Sequence, residues 1–314
     1  MQQVHAERSG RVMTVKLDNP PRNFMTGQMV GELDQLTRDL EGDRSIGAVV
    51  LTGAAEGVFI THYDVDEIAR GSQATPQVSS RQAGAGLRAV GAVARIPGGR
   101  EAIERTPAAG LLALRSIQEL FLHMNHLDKV FVAAINGVAM GGGCELSLAC
   151  DVRIMAEGDG RIGLPETTLG LIPGAGGTQR LTRALGASRA LEMMLEGRLL
   201  APRDAEAVGL VHRVVPADRL LDEAVDTAER LARRSPESVA ALKRAVYEGG
   251  SRSLPEGLHI EQAGFMAAAS TPAAIRAMET YVREDQSRED TTPADLPHLF
   301  DRWREGTAVD MIEG

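Results

Sequence analysis

The sequence is poor in aromatic residues, at 3% of 314, and contains only two cysteines. Few aromatics leave few platforms on which unpaired bases could stack. Lysine and arginine (34) are outnumbered by aspartate and glutamate (43), so the net charge of −9 argues against a general nucleic-acid binder, which presents a basic face. No apolar run reaches the roughly eighteen residues that a membrane span needs. Met1 to Arg11 is polar and mixed in charge, without the apolar centre of a signal peptide. Cys144 and Cys150 lie in an apolar stretch without the further partners that a disulfide or metal framework requires. They read as buried thiols of a reducing compartment, and the expected location is the cytoplasm.

Hydrophobic residues at 43% and charged residues at 25% are those of a globular chain with a full core. Alternation predicts a strand at Val12–Leu17, and short apolar runs predict strands at Ala48–Thr52, Val58–Ile60, Val130–Ile135 and Val152–Met155. Helical spacing predicts helices at Met29–Leu40, Val65–Arg70 and Leu111–Leu127. Strand and helix thus alternate, as in an α/β layer fold. Residues 71–115 are rich in Gly, Ala, Ser, Pro and Arg, with poor periodicity up to Leu111. From Gly177 onward the segments are helical apart from a strand at Val211–Val215. The expected organisation is a core over 1–215, with an insertion at about 71–115, followed by a helical region over 216–314.

The most informative stretch runs from Ala133 to Asp151. A buried-type strand leads into a glycine-rich turn at Gly137–Gly143, and a helix follows at Cys144–Ala149. Glycines let a ligand approach the backbone, and the first N–H groups of a helix have no partner within it. Such donors favour an anion or a developing oxyanion. Glu145 falls in the first helical turn. Counted from Gly142 to Ala149, the helix covers about 12 Å at 1.5 Å per residue, and the return strand covers about 13 Å at 3.3 Å per residue. Leu164-Pro165-Glu166 can therefore come back near Glu145, just ahead of a second glycine-rich turn at Gly174–Gly177. Two carboxylates beside amide donors suit proton transfer at a carbon next to a carbonyl. A glutamate in a first helical turn more often does no more than complement the helix dipole, and composition and spacing leave both readings open. The glycine turns fit neither a Walker loop, because Gly177 is followed by Thr-Gln-Arg, nor the dinucleotide-binding pattern, and no Gly-x-Ser-x-Gly elbow occurs.

The runs Ala134-Ile-Asn-Gly-Val-Ala-Met-Gly-Gly-Gly-Cys-Glu-Leu146, Gly163-Leu-Pro-Glu166 and Gly170-Leu-Ile-Pro-Gly-Ala-Gly-Gly-Thr-Gln-Arg-Leu181 resemble the crotonase superfamily of enoyl-CoA hydratases and isomerases. A weaker likeness extends from about Val12 to Val282. The resemblance implies an α/β spiral of ββα units with a C-terminal helical oligomerisation region, and a homotrimer or homohexamer. It implies an enzyme that adds water to a 2-enoyl-CoA, with Glu145 and Glu166 as the catalytic pair. The oxyanion hole would be the amides of Tyr63 and Gly142, and substrate contacts would come from Thr61, His62, Tyr63, Asp64, Val65, Gly142 and Gly174. The partner implied is an acyl-CoA thioester, with no nucleic acid, membrane, metal or separate cofactor. Isomerases of the superfamily commonly keep only the later acid, so both acids favour a hydratase. Enoyl-CoA isomerisation and non-catalytic acyl-CoA binding are the alternatives.

Three departures stand out. Phe59-Ile-Thr-His-Tyr-Asp-Val65 places His62 where the superfamily has a glycine and Tyr63 where it has a small residue; any residue except proline can supply the amide. The loop Ala156–Gly163 is one residue longer than usual. The C-terminal pattern that contacts CoA phosphate is degraded to Pro272-Ala-Ala-Ile-Arg-Ala and Tyr281-Val-Arg-Glu284. The segment 71–115 carries Arg81, Arg88, Arg95, Arg100, Arg105 and Arg115 against Glu101 and Glu104. A partly mobile lid whose arginines attract CoA phosphates is one expectation for it, and a solvated or subunit-packed insertion is the other.

Overall fold

The computed structural model describes residues 1–73, 77–286 and 300–312. Val4–Ser9 (β1) and Val12–Leu17 (β2) form an antiparallel hairpin turning at Gly10. β1 is absent from the expectations because only Val4 of its six residues is buried, so it carries no alternation to read. From β2 the sheet grows in parallel through Ala48–Gly53 (β3), Val130–Ile135 (β5), Val152–Ala156 (β7) and Arg213–Val215 (β10), in the order β1-β2-β3-β5-β7-β10. All six residues of β5 are buried, the mark of a parallel strand covered on both faces.

A second sheet is built from Gly57–Ile60 (β4), Gly137–Met140 (β6), Ile162–Gly163 (β8) and Leu199–Leu200 (β9). Each strand of the pairs β3/β4, β5/β6 and β7/β8 sends the chain from the first sheet into the second, and the repeated step winds it into a spiral. The corners need glycine. A Cβ on Gly53 would lie 1.9 Å from the Val58 carbonyl, and one on Gly137 would lie 1.8 Å from that of Gly57. Asn136 fastens both corners: its Oδ1 accepts from Gly53 N–H, and its Nδ2 donates to the carbonyls of Gly53 and Ala55. The glycine-rich turn expected over Gly137–Gly143 is therefore shorter. Gly137–Met140 is a strand, and the helix that follows starts at Gly142 instead of Cys144.

The main core lies between the sheets, where Gly27–Asp39 (α1), Ala109–His126 (α5) and Gly142–Ala149 (α6) contribute Met29, Leu33, Leu120, Phe121, Met124 and Leu146. Leu220–Ala232 (α10) covers the other face of the first sheet with Leu220, Ala224, Ala228 and Ala232. Among the described residues no helix is long and apolar enough to cross a membrane.

Residues 71–115, whose periodicity is poor, are largely helical in the described residues. Val65–Gln73 (α2) is followed by Ser80–Val93 (α3), Gly99–Glu104 (α4) and α5. α3 opens on a capping box of Ser79 and Gln82. Small residues hid its periodicity and allow its packing: a Cβ on Gly91 would lie 2.7 Å from the Arg115 guanidinium, and one on Gly86 would lie 3.1 Å from Leu111. Val90, Ile103 and Leu112 form a satellite core. Arg100 and Arg115 pair with Glu119 at 2.8 and 2.6 Å. Those two arginines are thus held inside the insertion. Arg81, Arg88 and Arg95 are exposed: the first two lie seven residues apart on α3, and Arg95 follows its C-terminus.

After α6 the chain forms Gly177–Leu185 (α7), Ala187–Glu196 (α8) and Pro202–Ala207 (α9). Beyond α10 come Pro236–Tyr247 (α11), Leu254–Ala269 (α12), Pro272–Gln286 (α13) and Asp301–Arg304 (α14). Lys243 of α11 docks this region on the core. Its buried ammonium donates to the carbonyls of Met124 and Lys129 and to Asp151 Oδ2, which pairs a charge that would otherwise be costly to bury.

Candidate active site

The site forms where β6 meets α6. Gly141, at φ 49° and ψ −120°, makes a turn that a side chain would strain, and its N–H donates to the Gly163 carbonyl at 2.9 Å. α6 follows with all eight residues buried. Glu145 in its first turn is 3% exposed, and its Oε1 accepts from Ala175 N–H at 2.7 Å and Gly177 N–H at 2.8 Å. The second glycine turn is thus a cradle for the first carboxylate. Burial pushes the Glu145 carboxyl up, while these two amides and the Arg180 charge favour its ionised form.

Glu166 returns to the same place after β8. Its Oε1 lies 3.2 Å from where a Cβ on Gly141 would stand, and its Oε2 is buried with no hydrogen-bond partner among the described residues. Burial, together with the Glu145 charge, raises its carboxyl to about 7. The structure therefore brings together one carboxylate held by amides and one with a buried oxygen left without a partner among the described residues. A free buried acceptor is costly to leave unmade and is suited to a small hydrogen-bonding molecule.

Tyr63 and Gly142 face each other across the same cleft. Met25 bridges the strand on both sides of Tyr63: Met25 N–H donates to the His62 carbonyl at 2.9 Å, and Asp64 N–H donates to the Met25 carbonyl at 2.8 Å. Tyr63 N–H, between these rungs, has no acceptor among the described residues. Gly142 N–H belongs to the first turn of α6, whose donors have no intrahelical partner. A Cβ on Gly142 would stand 3.2 Å from the Tyr63 nitrogen. Glycine there keeps two free amides open to one acceptor.

The remaining sequence-derived residues divide. Thr61 Oγ1 donates to the Arg22 carbonyl, and Asp64 Oδ1 accepts from Asp66 N–H at 2.9 Å and so caps α2. Both side chains have structural partners. Val65 opens α2. The His62 ring stacks on Phe24 with centroids 4.5 Å apart, so it is partly covered and not free in solvent. Gly174 sits against α5: its carbonyl accepts from Gln118 Nε2 at 2.6 Å, and Leu114 would meet its Cβ at 3.0 Å.

Four contributors were not legible beforehand: Phe24, Glu67, Gln118 and Arg180. Glu67 Oε2 accepts from the Tyr63 hydroxyl at 2.9 Å. Arg180 lies over the Phe121 ring and donates to the Ala175 carbonyl at 3.2 Å and to Asn125 Oδ1 at 3.1 Å, bracing the loop that holds Glu145. Only the i, i+4 spacing of Tyr63 and Glu67 at a helix start was a usable signal.

A buried carboxylate and a half-buried one beside two converging amides, on two mostly parallel sheets, form the candidate site of a spiral α/β fold. A family model for enoyl-CoA hydratase/isomerase matches residues 7–95 and 100–288, and the chain belongs to this family, within the crotonase superfamily. A probable enoyl-CoA hydratase of Rhizobium meliloti (strain 1021) is 35% identical over 278 residues, covering 88% of this chain and 93% of that protein. A 2,3-dehydroadipyl-CoA hydratase of Escherichia coli (strain K12) is 34% identical over 275 residues, covering 86% and 92%. The crystal structure of an enoyl-CoA hydratase from Bacillus anthracis superposes with a TM-score of 0.72 at 30% identity, over 90% of this chain and 97% of that one.

Proposed function

We propose that the chain is a 2-enoyl-CoA hydratase, converting a 2-enoyl-CoA and water to a 3-hydroxyacyl-CoA. The observation that carries this reading is the asymmetric pair: Glu145 fixed by two amides, and Glu166 with a buried oxygen that has no partner among the described residues. A water bound between them gives its proton to the Glu145 carboxylate as its oxygen attacks C3. The electrons of the double bond move to the thioester oxygen, where the amides of Tyr63 and Gly142 receive the developing charge. Glu166 delivers a proton to C2, and the thioester carbonyl re-forms. General acid–base help of this kind contributes about 10²–10⁴ in rate, and one oxyanion donor about 10²–10³.

These steps use carboxylates and amides alone; coenzyme A enters as part of the substrate. The location that suits the composition is the cytoplasm. Residues 216–314 serve as an oligomerisation region in this reading, and a homotrimer or a homohexamer of paired trimers is the assembly. Its support is α12, which has no buried residue although Leu254, Phe265 and Met266 are 75%, 69% and 65% exposed. Incubation of the purified chain with crotonoyl-CoA tests the activity through loss of the conjugated-thioester absorbance and mass analysis of the product. Gain of one water supports hydration. Positional isomers alone would make the chain an isomerase, and bound, unchanged thioester would make it a binder.

A further inference from the structure

The two residues that depart from the superfamily pattern at the oxyanion strand, His62 and Tyr63, are both tied to the segment Phe24–Gly27. The Tyr63 ring is directed to Glu67 of α2. Its hydroxyl donates to Glu67 Oε2 at 2.9 Å, and the same oxygen accepts from Gly27 N–H, the first amide of α1, at 3.0 Å. The three groups pack at contact distance: a Cβ on Gly27 would stand 3.7 Å from the phenol oxygen and 3.6 Å from the Glu67 carboxylate. His62 fastens the other side. Its ring stacks on Phe24 at an interplanar angle of 25°, and its Nδ1–H donates to the Tyr63 carbonyl at 2.7 Å. Between these anchors lies a backbone with two bridging hydrogen bonds to Met25 and one free N–H.

We propose that the side chains of Tyr63 and Glu67, joined at the N-terminus of α1, are positioning residues that hold the Tyr63 amide at the thioester oxygen. The inference rests on the hydratase reading of the same site and extends it to two side chains that touch no reacting atom. The physical reason is directional. An oxyanion donor stabilises charge only if it already points at the place where the charge develops, without reorganising during the reaction. The strand carrying Tyr63 is joined to its neighbour by an isolated bridge and leads directly into α2, an element with no buried residue. Local packing around α2 is thin. A phenol anchored through a carboxylate to a helix N-terminus supplies the missing constraint, in a place where the helix dipole favours that carboxylate. His62 adds a second restraint by stacking and by holding the carbonyl of the next peptide plane.

The test uses the full chain. Tyr63→Phe removes only the phenol bond, and kcat should fall about tenfold, part of the 10²–10³ attributed to a whole donor, with KM changed less than about twofold. Glu67→Ala should lose at least as much, and the double variant no more than Glu67→Ala alone, since both changes break one tether. Glu67→Gln, which keeps an acceptor oxygen, should recover most of the rate. The direct readout is the infrared carbonyl stretch of bound butyryl-CoA labelled with carbon-13 at the thioester. Its red shift on the wild-type protein should shrink in Tyr63→Phe. An unchanged red shift and kcat in that variant, or losses that multiply in the double variant, would overturn the proposal. Because butyryl-CoA cannot be hydrated, the red shift tests the tether without turnover. A wild type that polarises the carbonyl yet does not hydrate crotonoyl-CoA refutes the hydratase reading and leaves the tether standing.

Discussion

The carboxylate of Glu166 lies against Gly141, with Oε1 3.2 Å from the place a Cβ would take. One residue's lack of a side chain is thus the space in which the other's carboxylate sits. Glu145 begins four residues further on and turns its Oε1 to the amides of Ala175 and Gly177. Each acid is therefore positioned by backbone, and neither needs a charged partner side chain in contact.

Replacement of either acid by glutamine should lower kcat by about 10² or more while substrate binding is largely kept, because acid–base roles act on the barrier. Since Glu166 sits at about 7 and gives its proton to C2, kcat/KM for hydration should fall as pH rises through that value. Steady-state kinetics from pH 5 to 9 measure both. Near-native hydration by Glu145→Gln or Glu166→Gln, or a flat profile, would remove the assignment.

The same burial has a cost in stability. The Glu166 carboxyl is raised above its ordinary value of 4.5, so its contribution is fully present below that value and is lost as pH rises through about 7. Glu166→Gln cannot ionise. Its melting temperature should exceed that of the wild type by about 3 °C at pH 8, on the basis of roughly 2–4 °C per kcal/mol at 150–250 residues and somewhat less for a longer chain. At pH 4 the two should coincide. Scanning calorimetry at the two pH values decides it, and equal melting temperatures at pH 8 would mean that the buried oxygen carries no penalty.

Gly142→Ala introduces a methyl 3.2 Å from the Tyr63 nitrogen, at the point where the two free amides converge. Hydration should drop by about 10², the loss expected when an oxyanion donor is denied. Circular dichroism should show the helix content intact. Wild-type kcat in this variant would place the oxyanion elsewhere.

In solution the chain should be a trimer or hexamer, which buries the apolar residues exposed on α12. Light scattering is the measure, and a species of 33.5 kDa alone would contradict it. Paired substitution of Phe265 and Met266 by glutamate should shift the population toward smaller species without unfolding the core, because neither residue packs inside the protomer.

Local pattern determined much of this protein. Alternation marked Val12–Leu17 and a continuous apolar run marked Val130–Ile135 as strands, helical spacing marked α1, and Glu145 and Glu166 stood out beside glycine turns. Each of these signals lies within a few residues of chain, where periodicity and glycine freedom act directly. Tertiary structure decided the rest. The amides that hold Glu145 come from 30 and 32 residues away, and the Gly27 amide that anchors Glu67 comes from 40 away. α3 and α4 stayed hidden because alanine and glycine give little apolar contrast along a helix, although they let it pack closely against α5. Partners brought together by packing leave no local period to read, so only the folded chain shows which oxygen is satisfied, which is free, and where Tyr63 points.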